Sequence, residues 1–405
     1  MRSRRLLRAA DVLIGGDVDE GYGAVVDAFR CNFVERKELG AACAVYRDDR
    51  LVVDLWGGYR DPARTKPWER DTLVTMYSTT KGMASLAMAV AHSRGLFELD
   101  ERVAAYWPEF AQHGKELITV RQLLAHQAGL AVIDTPLDLN TLADPDRLGQ
   151  ILAAQAPKWT PGEFQGYHGQ SLGWYESQLL RRVDPQGRTI GRYFADEVAE
   201  PLGIEFYIGL PDDIPAARLA TFVGGSPVAA ILHLHEMPTR LVLALVNPRS
   251  FTSGVFRNPK VLTRLSDINR RDLLRIELPS ANGTGEVRAV AKAYAEFATG
   301  GTRLGIDQRT ISALEAPAES PARSGRDRVL RVDIAFAFGL FKPFPAIQFG
   351  SSSRAYGHTG AGGSFGFADP DRGLGYAYAM NRAGWALPVD PREQALRDAL
   401  YSVVR

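Results

Sequence analysis

Apolar residues recur every three to four positions over residues 20–36, with Val25, Val26, Phe29 and Phe33 on one stripe, and predict an amphipathic helix. The period then changes to two. Ala41-Ala42-Cys43-Ala44-Val45-Tyr46 and Leu51-Val52-Val53-Asp54-Leu55-Trp56 flank the polar Arg47-Asp48-Asp49-Arg50, which reads as an antiparallel hairpin. A second helix is predicted over 78–92, where Met83, Leu86, Ala87 and Val90 share a face and Gly95 closes the run. Thr119 is placed to cap a short helix over 120–126, stopped at Gly129.

From about 130 to 285 the chain reads as helical pieces joined by long Pro/Gly loops, and a further helix is predicted over 285–299. Strand patterns then dominate, at 332–341, 356–359, 364–368 and 374–380, the last two flanking the turn Asp369-Pro370-Asp371-Arg372-Gly373. A last helix is predicted over 391–404. Strands near both ends with helices between them predict an α+β fold. An antiparallel sheet would be built from 1–75 and 285–405 and flanked by helices. A mainly helical region, 76–284, is inserted, with the active site in the cleft between the two.

Composition narrows the function classes. With 405 residues, 45% hydrophobic and 23% charged, the chain is globular rather than disordered, collagenous or coiled-coil. A net charge of +1 without a basic run gives no support for nucleic acid or an anionic membrane surface as partner. The basic start Met1-Arg2-Ser3-Arg4-Arg5 has the look of a signal-peptide n-region, but Arg8 and Asp11 cut the apolar stretch behind it. No window reaches the roughly 18 apolar residues of a membrane span. Two cysteines, Cys31 and Cys43, are too few for a disulfide framework and favour a reducing compartment. The expectation is a cytoplasmic protein with no membrane span, and no oligomeric state is implied.

Candidate chemistry begins at Ser78-Thr79-Thr80-Lys81. Of the eight lysines, Lys81 alone has a serine three residues before it. If Ser78 opens the helix, the two side chains share a face one turn apart, and a desolvated amine can take the hydroxyl proton. A second candidate is Tyr167, in the glycine-rich Pro161-Gly162-Glu163-Phe164-Gln165-Gly166-Tyr167-His168-Gly169. A phenol beside an ammonium can be drawn toward phenolate and act as a general base. The third is Tyr356-Gly357-His358-Thr359-Gly360-Ala361-Gly362-Gly363, read as an edge strand that offers backbone N–H groups to a cleft. Each also has a plain structural reading: a helix cap with a surface lysine, a tyrosine packed under a loop, a hairpin with a solvent histidine.

Taken together and in this order, the three segments resemble the serine β-lactamase/penicillin-binding-protein superfamily, and most closely the class C β-lactamase-like, family VIII carboxylesterases. Further text supports the likeness: Thr119-Val120-Arg121-Gln122-Leu123-Leu124-Ala125-His126, Phe194 through Gly203, and Pro279-Ser280-Ala281-Asn282-Gly283. The resemblance implies Ser78 as nucleophile, Lys81 as its activating partner and Tyr167 as general base. The backbone N–H groups of Ser78 and Ala361 would form the oxyanion hole. His358, Gly360, His168 and Trp174 are the expected substrate-binding residues, and neither metal nor cofactor is implied. Two departures bear on substrate. Where β-lactamases of this type carry Tyr-x-Asn, this chain has Tyr167-His168-Gly169; where they carry Lys-Thr-Gly, it has His358-Thr359-Gly360. Both changes disfavour β-lactams and suit a small-molecule partner, an uncharged short-chain carboxylic ester. A β-lactamase, a D-amino-acid peptidase, an acyltransferase and a catalytically silent binding protein stay open on the same fold.

Gly169-Gln170-Ser171-Leu172-Gly173 and Gly362-Gly363-Ser364-Phe365-Gly366 match the α/β-hydrolase elbow. Neither has the required strand before and helix after the serine. His233-Leu234-His235 lacks a third metal ligand at suitable spacing.

Overall fold

The structure, a computed structural model, describes residues 7–9, 12–225, 237–387 and 389–404. His233 and His235 lie outside the described residues. Among the described residues nine strands form one antiparallel sheet, in the order β1-β2-β4-β3-β12-β11-β10-β9-β8. Its strands are β1 (Leu7–Ala9), β2 (Val12–Val18), β3 (Gly40–Arg47), β4 (Arg50–Gly58), β8 (Phe336–Ala337), β9 (Leu340–Phe341), β10 (Tyr356–Thr359), β11 (Phe365–Asp369) and β12 (Leu374–Met380). The two ends of the chain meet at the β3–β12 pair, in register from Leu374 opposite Arg47 to Met380 opposite Ala41. A small second sheet joins β5 (Val74–Thr75), β7 (Thr284–Gly285) and β6 (Phe206–Tyr207).

Period-two patterning explains the layering. Along β12, Leu374, Tyr376, Tyr378 and Met380 face a core shared with the helices Gly23–Glu35 and Pro391–Val403. The alternate residues Ala377 and Ala379, with Ala44 of β3, face the helix Val287–Ala298. Small residues on that side let the helix approach to backbone contact. A Cβ at Gly375 would stand 2.1 Å from the Ala291 carbonyl oxygen, so only glycine fits.

The predicted hairpin, the helices Gly23–Glu35, Val287–Ala298 and Pro391–Val403, and strands β10, β11 and β12 are all present within a few residues. Thr119 caps Val120–Leu124 through a capping box with Gln122, whose N–H donates to Thr119 Oγ1 at 3.2 Å. Three expectations need correction. The strand patterns miss β1 and β2, because the Gly15-Gly16 pair breaks the alternation of β2. The strand foreseen over 332–341 is two residue pairs, β8 and β9, joined by a turn in which Phe338 and Gly339 have φ of 54° and 84°. As a result β10 is not the outermost strand, since β9 pairs with it at Gly357 opposite Phe341.

Among the described residues no helix is long and apolar enough to cross a membrane. Cys31 and Cys43 are both free thiols.

Candidate active site

Ser78 lies in a 3₁₀ turn, Tyr77–Thr79, just ahead of the helix Thr80–Ser93, rather than at that helix's first residue. Tyr77 has φ of 46°, a left-handed backbone that costs an ordinary residue on the order of 1 kcal/mol and is retained where surrounding contacts enforce it. The Tyr77 hydroxyl is anchored on the Leu265 carbonyl. Lys81 follows in the first helical turn and is fully buried. Its Nζ donates to the carbonyl oxygens of Gly169 (2.7 Å) and Ser280 (3.0 Å) and stands 3.1 Å from Ser78 Oγ. The loop ending at Gly283 thus reaches the site through the Ser280 carbonyl, while Asn282 binds backbone around itself.

Burial lowers the Lys81 pKa to about 7, with Glu176 opposing. A free amine uses two N–H groups for the two carbonyls and turns its lone pair to the Ser78 hydroxyl. The site therefore has one direction left for accepting a proton, and Ser78 occupies it.

Tyr167 sits on the Pro161–Gly169 loop and is 5% exposed. Its ring lies beside Lys81, with Nζ 4.9 Å from the ring centroid, and its phenol hydrogen-bonds the Ser78 side chain. Burial raises the phenol well above its ordinary value, and the Ser78 hydrogen bond only partly offsets this. The expectation of a phenol drawn toward phenolate is corrected: burial outweighs the Ser78 hydrogen bond, and resting Tyr167 is a neutral phenol.

The turn after β10 completes the arrangement. Gly360 N–H donates to the Ser364 carbonyl (2.7 Å) and Gly363 N–H to the Gly360 carbonyl (3.1 Å). Ser364 Oγ donates to the Met76 carbonyl (3.0 Å) and lies 2.9 Å from Thr79 Oγ1, which locks this turn against the one carrying Ser78. Ser78, Tyr167, Gly360 and Ala361 all line one cavity of about 430 Å³. Most of its remaining wall is apolar and includes Leu241, Leu245, Phe256, Phe341, Phe344 and Trp385.

Three expected substrate-binding residues are elsewhere. His358 is fully buried: its ring stacks on Phe341 at 4.2 Å, Nδ1 stands 2.6 Å from the Thr359 carbonyl oxygen, and Nε2 is buried without a partner. Burial and the Lys81 charge hold it neutral, far below its ordinary range. His168 is a structural bridge. Its Nε2 accepts from Leu130 N–H (3.2 Å), its Nδ1 meets the Gly166 carbonyl (2.8 Å), and burial lowers it to about 4. Trp174 points from the far side of the helix Ser171–Val183 into a different cavity, with Leu148 and Pro279. The elbow-like serines are also accounted for. Ser171 is buried and donates to the Leu130 carbonyl (2.8 Å), and Ser364 opens strand β11 rather than a helix.

The cavity wall and Glu176 escaped sequence reading. The signals were the all-apolar Leu241-Val242-Leu243-Ala244-Leu245-Val246 and a glutamate on the otherwise apolar face of the helix Ser171–Val183.

The family model described as Beta-lactamase matches residues 25–401. The chain belongs to the beta-lactamase family. Within it, the chain is 32% identical to the Esterase/beta-lactamase LipL of Mycobacterium tuberculosis, over 91% of this chain and 82% of that protein. The crystal structure of a family VIII carboxylesterase superposes with a TM-score of 0.83 at 35% identity, covering 96% of this chain and 99% of the other. A penicillin-binding protein homologue from Caulobacter crescentus gives 0.82 at 36% identity, with the same coverage. The antiparallel sheet with flanking helices is therefore this family's fold.

Proposed function

We propose that this beta-lactamase-family protein is a serine hydrolase that cleaves uncharged carboxylic esters through an acyl-enzyme. It works in the cleft between a sheet unit (1–75 and 285–405) and a helical unit (76–284). The observation that carries the reading is the buried Lys81 amine, held by two carbonyls with Ser78 Oγ at 3.1 Å as its third neighbour. The similarity to an esterase/beta-lactamase and to a family VIII carboxylesterase supports it.

The chemistry runs in two halves. Lys81 takes the Ser78 proton as Oγ attacks the ester carbonyl carbon. The Ser78 and Ala361 amides hold the oxyanion, a contribution of about 3 kcal/mol per donor. As the tetrahedral intermediate collapses, the C–O bond to the alcohol breaks, and the Lys81 proton reaches the leaving oxygen through the Tyr167 hydroxyl. Water then attacks the acyl-enzyme, its proton returns by the same pair, and Ser78 leaves protonated with the carboxylic acid released. Tyr167 is a relay in this scheme, as suits a neutral phenol.

Two features favour an uncharged substrate. No Lys, Arg or His lines the cavity among its described residues, and its carboxylates Asp390 and Glu393 are paired with Arg392 (2.8 Å) and Arg397 (2.9 Å). Among the described residues of that wall a substrate carboxylate finds no cation, whereas an apolar ester finds a matching surface. A fluorophosphonate should add one label, mapped to the peptide carrying Ser78, with nitrophenyl acetate turned over far faster than nitrocefin. Labelling elsewhere, or none, refutes the assignment.

A further inference from the structure

The turn that carries Ala361 is tied to a buried arginine far along the chain. Arg392 lies in the first turn of the helix Pro391–Val403 and is 4% exposed. Each N–H of its guanidinium has its own acceptor. Nε donates to Asp390 Oδ1 (2.9 Å) and Nη2 to Asp390 Oδ2 (2.8 Å). Nη1 donates to Glu38 Oε1 (2.9 Å) and to the Arg382 carbonyl (3.0 Å). The second Nη2 proton goes to the Gly362 carbonyl at 3.0 Å. Glu38 and Asp390 are themselves buried, so the cation is compensated where it stands. Only the planar fork of arginine offers this many donors in fixed directions. The Gly362 carbonyl also accepts from Gly384 N–H (2.9 Å), and a Cβ at Gly363 would lie 2.5 Å from Asp390 Oδ2. Bare glycine backbone thus rests directly on the ion pair. Gly362 and Gly363 have φ of 91° and 117°, so this stretch has little steric stiffness of its own and depends on such ties.

A trans peptide is planar, and its C=O and N–H point in opposite directions. The Gly362 carbonyl shares its plane with Gly363 N–H, which donates to the Gly360 carbonyl (3.1 Å). The Gly360 carbonyl in turn shares its plane with Ala361 N–H. Two rigid peptides therefore join the guanidinium to that amide. Holding the Gly362 carbonyl fixes the Gly360 carbonyl, and with it the direction of the N–H on the far side. We propose that Arg392 is a positioning residue for the hydrolysis: through these two peptides it aims Ala361 N–H at the oxygen of the reacting carbonyl. The inference rests on the reading of Ser78 as nucleophile and Ala361 as oxyanion donor. The negative charge on that oxygen develops only as Ser78 or water attacks. A misaimed amide is therefore felt in the transition state and scarcely in the bound ester. Hydrogen bonds in such a chain also strengthen one another, and the cation at its head polarises both peptides in the sense that favours a negative oxygen at the other end.

The test uses two variants and counts active sites by intact mass after Ser78 labelling with a fluorophosphonate, so that kcat refers to folded enzyme only. Arg392→Lys keeps a cation beside Glu38 and Asp390 but has three donors and no fork, and it cannot serve all the acceptors. Glu38→Gln combined with Arg392→Met removes one charge of each sign and settles the matter if the lysine variant folds poorly. Losing a whole oxyanion donor costs about 100- to 1,000-fold, and misaiming one should cost less. The expected result is kcat per labelled site for nitrophenyl acetate down about 10- to 100-fold. Both half-reactions pass through an oxyanion, so KM should stay within about threefold. An aryl trifluoromethyl ketone, whose carbonyl carbon takes Ser78 Oγ to give a tetrahedral oxyanion, should bind more weakly by the same factor as kcat/KM falls. A merely structural role would lower the urea midpoint and leave both kcat per labelled site and ketone affinity in place. A folded variant with kcat within about threefold of wild type, an unchanged ketone affinity, or a loss confined to KM overturns the proposal. Absence of Ser78 labelling in the wild type refutes the functional reading instead, so the two failures are distinct.

Discussion

Replacing Gly360 with alanine probes how the turn that carries Ala361, the proposed oxyanion donor, is built. The added methyl carbon would lie 2.2 Å from Ser364 Oγ, 2.3 Å from the Met76 carbonyl oxygen and 2.8 Å from Thr79 Oγ1. Ser364 can rotate away, at the expense of its 3.0 Å bond to Met76. The Met76 carbonyl is backbone and cannot, because Thr79 N–H also donates to it at 3.1 Å. Relief then requires the Gly360–Gly363 turn to move by about 1 Å, and Ala361 N–H moves with it. A displacement of that size near reacting atoms costs on the order of 100-fold, and loss of one oxyanion donor about 100- to 1,000-fold. Overpacking itself destabilises by roughly 1–3 kcal/mol. The expected result is kcat for nitrophenyl acetate down 100- to 1,000-fold, slower Ser78 labelling by a similar factor, and a lowered urea midpoint with a cooperative transition retained. A Gly360→Ala enzyme within threefold of wild type and with an unchanged midpoint refutes the close-approach argument and, with it, the role given to Ala361.

Further substitutions separate the remaining roles. Ser78→Ala should abolish hydrolysis and labelling, while Ser171→Ala and Ser364→Ala still label at Ser78, as peptide mapping would read. Tyr167→Phe should lose about 100- to 10,000-fold in kcat with the fold kept, the usual weight of proton transfer; activity within a few-fold of wild type removes Tyr167 from the proton path. Because Lys81 must be unprotonated, kcat/KM should rise through about pH 7 and fall roughly tenfold per unit well below it; a flat profile between pH 5 and 8 contradicts the Lys81 base. His358→Lys should destabilise by about 3 kcal/mol in urea, since it buries a cation against Phe341, and should not raise nitrocefin turnover; a folded variant with improved nitrocefin hydrolysis shows that position 358 reaches the substrate.

What could be read from the chain alone was set by local periodicity. The 3.6-residue period drew the helices Gly23–Glu35 and Val287–Ala298, and alternation drew β3, β4, β11 and β12. The Ser78–Lys81 pair was legible for the same reason, because three residues of near-helical backbone carry their own geometry wherever they are placed. Tyr167 was singled out by its glycine-rich surroundings, which mark places where backbone must come close to something else, and Ala361 by the family resemblance of the His358-Thr359-Gly360 segment before it.

The tertiary structure decided whatever depends on residues far apart in sequence. Lys81 is a base candidate because carbonyls 88 and 199 positions away hold it and because helices bury it; nothing within a turn of it supplies that environment. His358 follows the same motif logic as Gly360, yet packing against Phe341 turned it away from the cavity while Gly360 stayed on its wall. The apolar wall is assembled from segments as distant as Leu241 and Trp385, each unremarked in its own neighbourhood. Local spacing determines which side chains can share a face. Desolvation, which sets whether they are charged, belongs only to the packed whole.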